Sequence, residues 1–340
     1  MSDSVEFPPL ENGLDYLADA VNRLIGTPSV RDLKYAVLHL HAGVEVLLKY
    51  RLICQDWRLI LEDRRDGEEE VTEADYEAGM FRSIGIGKAL RRLQDLGITF
   101  TTGEKKAAAA LDRLRNQVQH HGLNSTAEAV EGQAAKVLGF VLDFIDTHIT
   151  PDVHRDVADA QVLDDTMREL RGGLGAITAL VDGRMQKLRP ELDAAWTTAW
   201  CPECGQRAVL LDGGSGSSSG PETDEPRCLF CTARWDSRAY YLEDFTGGRL
   251  KLPGSYEVMM NGGDPPTDVC PECGADMVVW FDLDTGERGP NPIGLCFSCE
   301  SEFDDRCPRC DAPVAKPVTD TMDEESMLCE NCLEDLIGDA

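Results

Sequence analysis

Twelve of the thirteen cysteines in this 340-residue chain fall into six CxxC pairs, all of them C-terminal to residue 200. They are Cys201/Cys204, Cys228/Cys231, Cys270/Cys273, Cys296/Cys299, Cys307/Cys310 and Cys329/Cys332. A CxxC turn delivers two thiolates from one short segment and a tetrahedral Zn²⁺ takes four, so six pairs predict three four-cysteine sites. The last histidine is His154, so no imidazole enters any of them. A metal with four protein ligands has no open position for water, so the three zinc ions are expected to be structural rather than catalytic.

No segment approaches the roughly 20 apolar residues that span a bilayer, and the N-terminal MSDSVEFPPL lacks a basic stretch followed by an apolar one. The expectation is a soluble, cytoplasmic protein, in which thiols stay reduced and paired cysteines serve metals rather than disulfides.

The cysteine-rich part repeats itself. CPECGQRAVLL at 201, CPECGADMVVW at 270 and CPRCDAPVAKP at 307 share a knuckle, a turn residue and an apolar run suited to a short strand. The repetition predicts three small β-rich zinc ribbons over 196–242, 262–302 and 303–340, paired in sequence. A crossed arrangement in which Cys270/Cys273 shares a metal with Cys307/Cys310 is the alternative, and redox use of one dithiol a further one. GGSGSSSG at 213–220 reads as a flexible loop inside the first ribbon.

The net charge of -29 is unevenly spread: -7 over residues 1–150, -3 over 151–200 and -19 over 201–340. Four thiolates around a dication add two negative charges per site. Affinity for nucleic acid rests on Lys and Arg replacing counterions around phosphates, so the ribbons are poorly suited to it and better suited to an unidentified protein partner or a purely architectural role.

Residues 1–150 read as an all-α helical bundle. Leu33, Ala36, Val37, Leu40, Val44, Leu47 and Leu48 recur at three-and-four spacing and predict one long helix over 31–61. Further helices are expected over 11–25, 84–96, 104–121 and 127–149. Gly122 stops the fourth of these five, and Ser125 or Thr126 caps the next. The acidic stretch 62–77 reads as a solvated loop with a short helix, and Cys54 as a buried structural thiol. From 151 to 195 a helical pattern, weakened at Gly172, Gly173 and Gly175, suggests a connector or dimerising segment, with core packing as its default role. The fold class is therefore multidomain: a helical bundle, a helical connector and three ribbons.

One segment of the bundle carries chemistry-bearing side chains away from its apolar stripe. In 111–122, LDRLRNQVQHHG, the residues Leu111, Leu114 and Val118 are expected to be buried, leaving Arg115, Asn116 and His120 off the core face. Asn116 and His120 share a face, whereas Arg115 lies about 140° from His120 on an ideal helix. A second copy of the chain, or a bend before Gly122, would be needed to bring them together. His121 is the alternative to His120, and His39 and His41 read as core or interface residues. Arg91, Arg92, Lys105, Lys106, Arg113 and Arg115 form the basic concentration expected to border the cleft.

RNQVQH at 115–120, in a helix near the end of a small bundle, resembles the HEPN domain family. LHLHAGVEVLLKYRL at 38–52 looks like the family's earlier core helix, with Glu45 as its inward polar residue. The resemblance covers roughly 10–150. It implies a homodimeric, metal-independent endoribonuclease of toxin, defence or RNA-processing type, with an RNA substrate in a cleft shared by two protomers. His120 would be the general acid or base, Arg115 would hold the scissile phosphate, and Asn116 would orient one of them. Some members carry a modifiable tyrosine shortly after the histidine; here His121 and Gly122 follow, so that mode of regulation is not implied. Two rival functions remain: a non-catalytic dimerisation or adaptor protein, and a zinc-ribbon regulator that binds nucleic acid.

Overall fold

The computed structural model describes residues 7–63, 69–153, 157–195, 198–211, 225–254, 258, 260–262, 265–314 and 328–338. The chain divides into two compact units, Met1–Lys187 and Leu188–Ala340. Among the described residues no helix is long and apolar enough to cross a membrane.

The first unit is helical. α1 (Pro9–Leu24) and α2 (Val30–Ile53) fold back on each other, and the start of α2 is fixed by a reciprocal cap between Ser29 and Asp32. Glycines let the two backbones close up: a Cβ on Gly43 would lie 3.0 Å from the Gly13 carbonyl oxygen and 3.0 Å from Leu17 Cδ2. α2 stops well short of the expected 31–61 span. Past its cap at Cys54, the Asp56 carboxylate accepts from the Arg58 backbone N–H at 2.9 Å and opens a separate 3₁₀ turn, Trp57–Ile60. A side chain that satisfies the backbone locally competes with continuing the helix. Cys54 is consequently exposed rather than buried.

α3 (Glu73–Glu77) lies in the acidic stretch, of which 64–68 fall outside the described residues. α4 (Ile86–Asp95), α5 (Thr102–Asn116) and α6 (Ala127–Phe144) follow, with Thr101 capping α5 and Thr126 capping α6. α7 (Thr150–Val153), α8 (Val157–Leu174) and α9 (Thr178–Ala194) occupy the segment expected as a connector, and the break between α8 and α9 falls beside the glycines at 172, 173 and 175. α8 packs on α1, so closely that a Cβ on Gly173 would lie 2.7 Å from Val21 Cγ1. Up to Lys187 this segment thus belongs to the helical body.

The second unit is built on three small antiparallel sheets. β1 (Thr198–Trp200), β2 (Arg207–Leu210) and β3 (Arg227–Cys228) form the first, in that order. β4 (Asp268–Val269), β5 (Asp276–Phe281), β6 (Ile293–Cys296) and β7 (Glu302–Phe303) form the second, and β8 (Asp305–Arg306) with β9 (Pro313–Val314) the third. Residues 213–220, expected as a loop, lie outside the described residues. α10 (Arg238–Asp244) follows the first sheet and α11 (Glu330–Gly338) ends the described chain.

α10 is the element that sequence periodicity did not suggest. Its Tyr241, together with Phe245 just beyond it, meets Phe281 and Phe297 of the second module, with Phe245 5.0 Å from Phe281 and 5.4 Å from Phe297 between ring centroids. Around that cluster, the Trp200 indole N–H donates to the Leu283 carbonyl at 3.0 Å, and the Tyr241 hydroxyl to the Trp200 carbonyl at 2.8 Å. The first two cysteine modules therefore share one aromatic core. The third is joined to the second by Arg306, whose guanidinium lies 4.3 Å from the Trp280 ring centroid and donates to Asp268 at 2.7 Å.

Candidate metal centres and the polar end of α5

Five of the six CxxC pairs adopt the same backbone. In each, the first cysteine's N–H donates to the carbonyl five residues on, and the N–H four residues on donates back to that cysteine's carbonyl; Cys201 with Gln206 (2.9 Å) and Gly205 (3.0 Å) is one instance. The fourth residue on from the first cysteine sits at positive φ: Gly205 (72), Thr232 (65), Gly274 (74), Glu300 (64) and Asp311 (62). The left-handed turn folds the chain back so that both thiols point the same way. The sixth pair differs. Cys332 lies in the first turn of α11, and the Leu333 N–H donates to the Cys329 carbonyl at 3.0 Å as in a helix.

The cysteines gather as 201/204/228/231, 270/273/296/299 and 307/310/329/332, each set with its sulfurs within 4.8 Å of one another. This is the sequential pairing; the crossed arrangement does not occur. Cys201 and Cys231 stand 3.6 Å apart, Cys204 and Cys228 3.7 Å, Cys270 and Cys299 3.6 Å, Cys273 and Cys296 3.7 Å, and Cys310 and Cys329 3.4 Å. A tetrahedron with metal–sulfur bonds of about 2.3 Å has edges of about 3.8 Å, whereas a disulfide needs about 2.05 Å. The donor sets fit three structural metal sites.

The sites differ in cover. All four cysteines of the first are buried; in the second Cys273 and Cys299 are exposed, and in the third Cys310 is exposed and Cys329 half-buried. Burial pushes the Cys228 thiol well up. Burial also opposes ionisation of Cys307, but the backbone N–H groups of Cys329, Arg309 and Cys310 outweigh it and bring that thiol down to about 6. Cys299 is brought to about 7 by the Ser301 hydroxyl and N–H, again against burial. These N–H donors favour the thiolate form that a metal requires.

The second cluster of interest is the C-terminal end of α5. Arg115 Nη1 donates to Asn116 Oδ1 at 3.0 Å, which holds the guanidinium beside the amide. From Gln117 to His121 the backbone widens into a π turn, ended by Gly122 at φ 79, and His120 is exposed within it. An i→i+5 turn advances less per residue than an α-helix, so it turns His120 back toward the side of Arg115. The His121 side chain lies outside the described residues. Of the expected buried stripe only Leu111 is buried; Leu114 and Val118, where the helix widens, are half-exposed.

Glu45 is half-buried on α2 and joined to Lys49 at 2.5 Å, one turn further along the same helix; Lys49 also donates to Ser83 at 2.9 Å. That places Glu45 in a local ion pair, with no hydrogen bond to Arg115 or Asn116. His41, by contrast, is buried and its Nε2 lies 2.7 Å from Asp112 Oδ1, one turn before Arg115 and Asn116. Of the basic concentration expected along the cleft, Arg92 is consumed by the Leu59 and Leu61 carbonyls (2.6 Å each) and by Asp63 (2.7 Å). No family model, curated protein or solved structure matches this chain.

Proposed function

We propose that the helical unit is a metal-independent endoribonuclease of the HEPN type, acting as a homodimer, and that the cysteine-rich unit is a zinc-braced platform for a protein partner. The observation that carries the reading is the polar end of α5, where Arg115 is braced by Asn116 and an exposed His120 sits in a widened turn on the same helix end. The half-exposed Leu114 and Val118 beside them supply apolar surface for a second protomer.

RNA carries its own nucleophile, so the protein needs a proton-transfer group and a fixed cation. The 2′-oxygen attacks phosphorus as its proton passes to one His120, and the bond to the 5′-oxygen breaks. The leaving oxygen takes a proton from the His120 of the second protomer. Arg115 offsets the charge on the pentavalent phosphorus, and Asn116 holds Arg115 in place. The products are a 2′,3′-cyclic phosphate and a 5′-hydroxyl. Zinc held by four thiolates cross-links its module and leaves no coordination position for a reactant.

The test is RNA cleavage by the zinc-loaded chain after brief treatment with EDTA, compared with folded His120→Ala and Arg115→Ala dimers. Cleavage that survives chelation, vanishes in both variants and leaves cyclic phosphate ends supports the reading. Equal activity in the parent and both variants overturns it. Absence of cleavage from all three shifts the assignment to a dimeric adaptor, the role that the acidic charge of both units favours.

A further inference from the structure

A second group of side chains lies where α1 ends and α2 begins. Three cations surround one aromatic ring: Arg23 at 5.2 Å, Arg31 at 5.7 Å and Lys34 at 5.3 Å from the Tyr35 centroid. The nearby carboxylates are already engaged. Asp19 accepts from Arg23 at 2.5 and 3.2 Å and pairs with His39 Nδ1, and Asp32 accepts from the Ser29 hydroxyl at 2.5 Å and backbone N–H at 3.2 Å in the helix cap. Hydrogen bonding from Arg23, against burial and with help from His39, holds the Asp19 carboxyl below its usual value, so it stays ionised and occupied.

Arg31 and Lys34 are exposed and make no ion pair among the described residues. Arg31 stands in the first turn of α2, at the positive end of the helix dipole, where a cation is disfavoured. Asp32 in the same turn offsets Arg31 in part and the Tyr35 ring attracts both cations, but no ion pair holds either Arg31 or Lys34 among the described residues. Three cations stand here against the carboxylates of Asp19 and Asp32, which leaves a small excess of positive charge in an acidic chain. The ligand complementary to two exposed cations that make no ion pair among the described residues is a phosphodiester strand.

We infer that the α1–α2 tip, through Arg31 and Lys34, binds phosphates of a single-stranded RNA. The inference rests on the ribonuclease reading for its ligand, but the site is separate from the α5 end and is tested separately. The probe is a short 2′-O-methyl oligouridine, which cannot supply the attacking hydroxyl, bound to the full-length zinc-loaded chain across a range of salt. Removing two phosphate contacts from a single-strand complex lowers the slope of log affinity against log salt by ~1.4, because each contributes ~0.7. The Arg31→Ser/Lys34→Ser variant is expected to show that fall with binding weakened about tenfold at low salt. With cleavable RNA it should raise KM and leave kcat in place. An unchanged slope and affinity in a chain that still cleaves RNA overturns this site alone. Failure of the parent to bind the oligouridine also overturns it, and if the parent cleaves no RNA either, the ribonuclease reading falls with it.

Discussion

His41 Nε2 and Asp112 Oδ1 stand 2.7 Å apart, tying the middle of α2 to α5 one turn before Arg115 and Asn116. His41 is 8% exposed, so replacing Asp112 leaves a polar ring atom in the interior with no acceptor. Asp112→Ala is expected to destabilise the helical unit by about 1–3 kcal/mol, read from urea unfolding. If the pair also sets the pose of the α5 end, the same variant lowers kcat in the cleavage assay beyond what matched folding explains.

Proton transfer by a positioned side chain is worth about 10²–10⁴-fold. Under the proposed ribonuclease mechanism, His120→Ala should reduce the cleavage rate within that range. Asn116→Ala should reduce it less, because in the proposed mechanism Asn116 acts through Arg115, to which it is hydrogen-bonded. Single-turnover cleavage by the three chains, parent included, checks the order.

The three thiolate sets should give up metal in order of exposure. Native mass spectrometry is expected to find three zinc ions per chain, and a chromophoric chelator should take the third and second sites, which have exposed cysteines, before the fully buried 201/204/228/231 set. Cys310→Ser should remove one ion and leave the first two modules folded, whereas Cys204→Ser should unfold the core formed with α10. Loss of all three ions in a single step would contradict this.

Thr232 holds a left-handed backbone at φ 65 that Gly205 and Gly274 hold in the matching knuckles. A β-branched side chain is strained there by roughly 1–2 kcal/mol relative to glycine, which offsets the greater chain entropy of the glycine variant. Thr232→Gly is expected to raise the melting temperature of the zinc-loaded protein or leave it unchanged, and a clear fall in calorimetry would contradict the turn assignment.

Burial, and then the nearby Arg51 guanidinium, hold the His148 imidazole below its ordinary value near 6.5, with Glu104 opposing them. A group that binds its proton more weakly when folded adds stability above its unfolded value and loses it as pH falls. Acidification from about 7 through 6.5 should therefore destabilise the helical unit, continuing until pH passes below the folded value. His148→Phe, beside Phe144 at 5.5 Å, should flatten that part of the stability profile relative to the parent.

The six CxxC pairs marked three four-cysteine sets from sequence alone, because a knuckle is local: in five of the six, four residues and one left-handed turn place both sulfurs, and only the pairing of knuckles needed the fold. Helix positions were likewise legible where a capping side chain or a glycine marked the end, as at Thr126 and Gly122. What the tertiary structure decided depends on residues far apart in the chain. α10 has too short an apolar pattern to announce itself, and its role emerges only when Tyr241 and Phe245 meet Phe281 and Phe297. The His41–Asp112 bond spans two helices, and the cations around Tyr35 come from both sides of a turn. α2 is shorter than its apolar spacing predicts: that spacing continues beyond Ile53, but the Asp56 carboxylate captures a backbone N–H that the helix would have used, and hydrophobic periodicity does not record that competition.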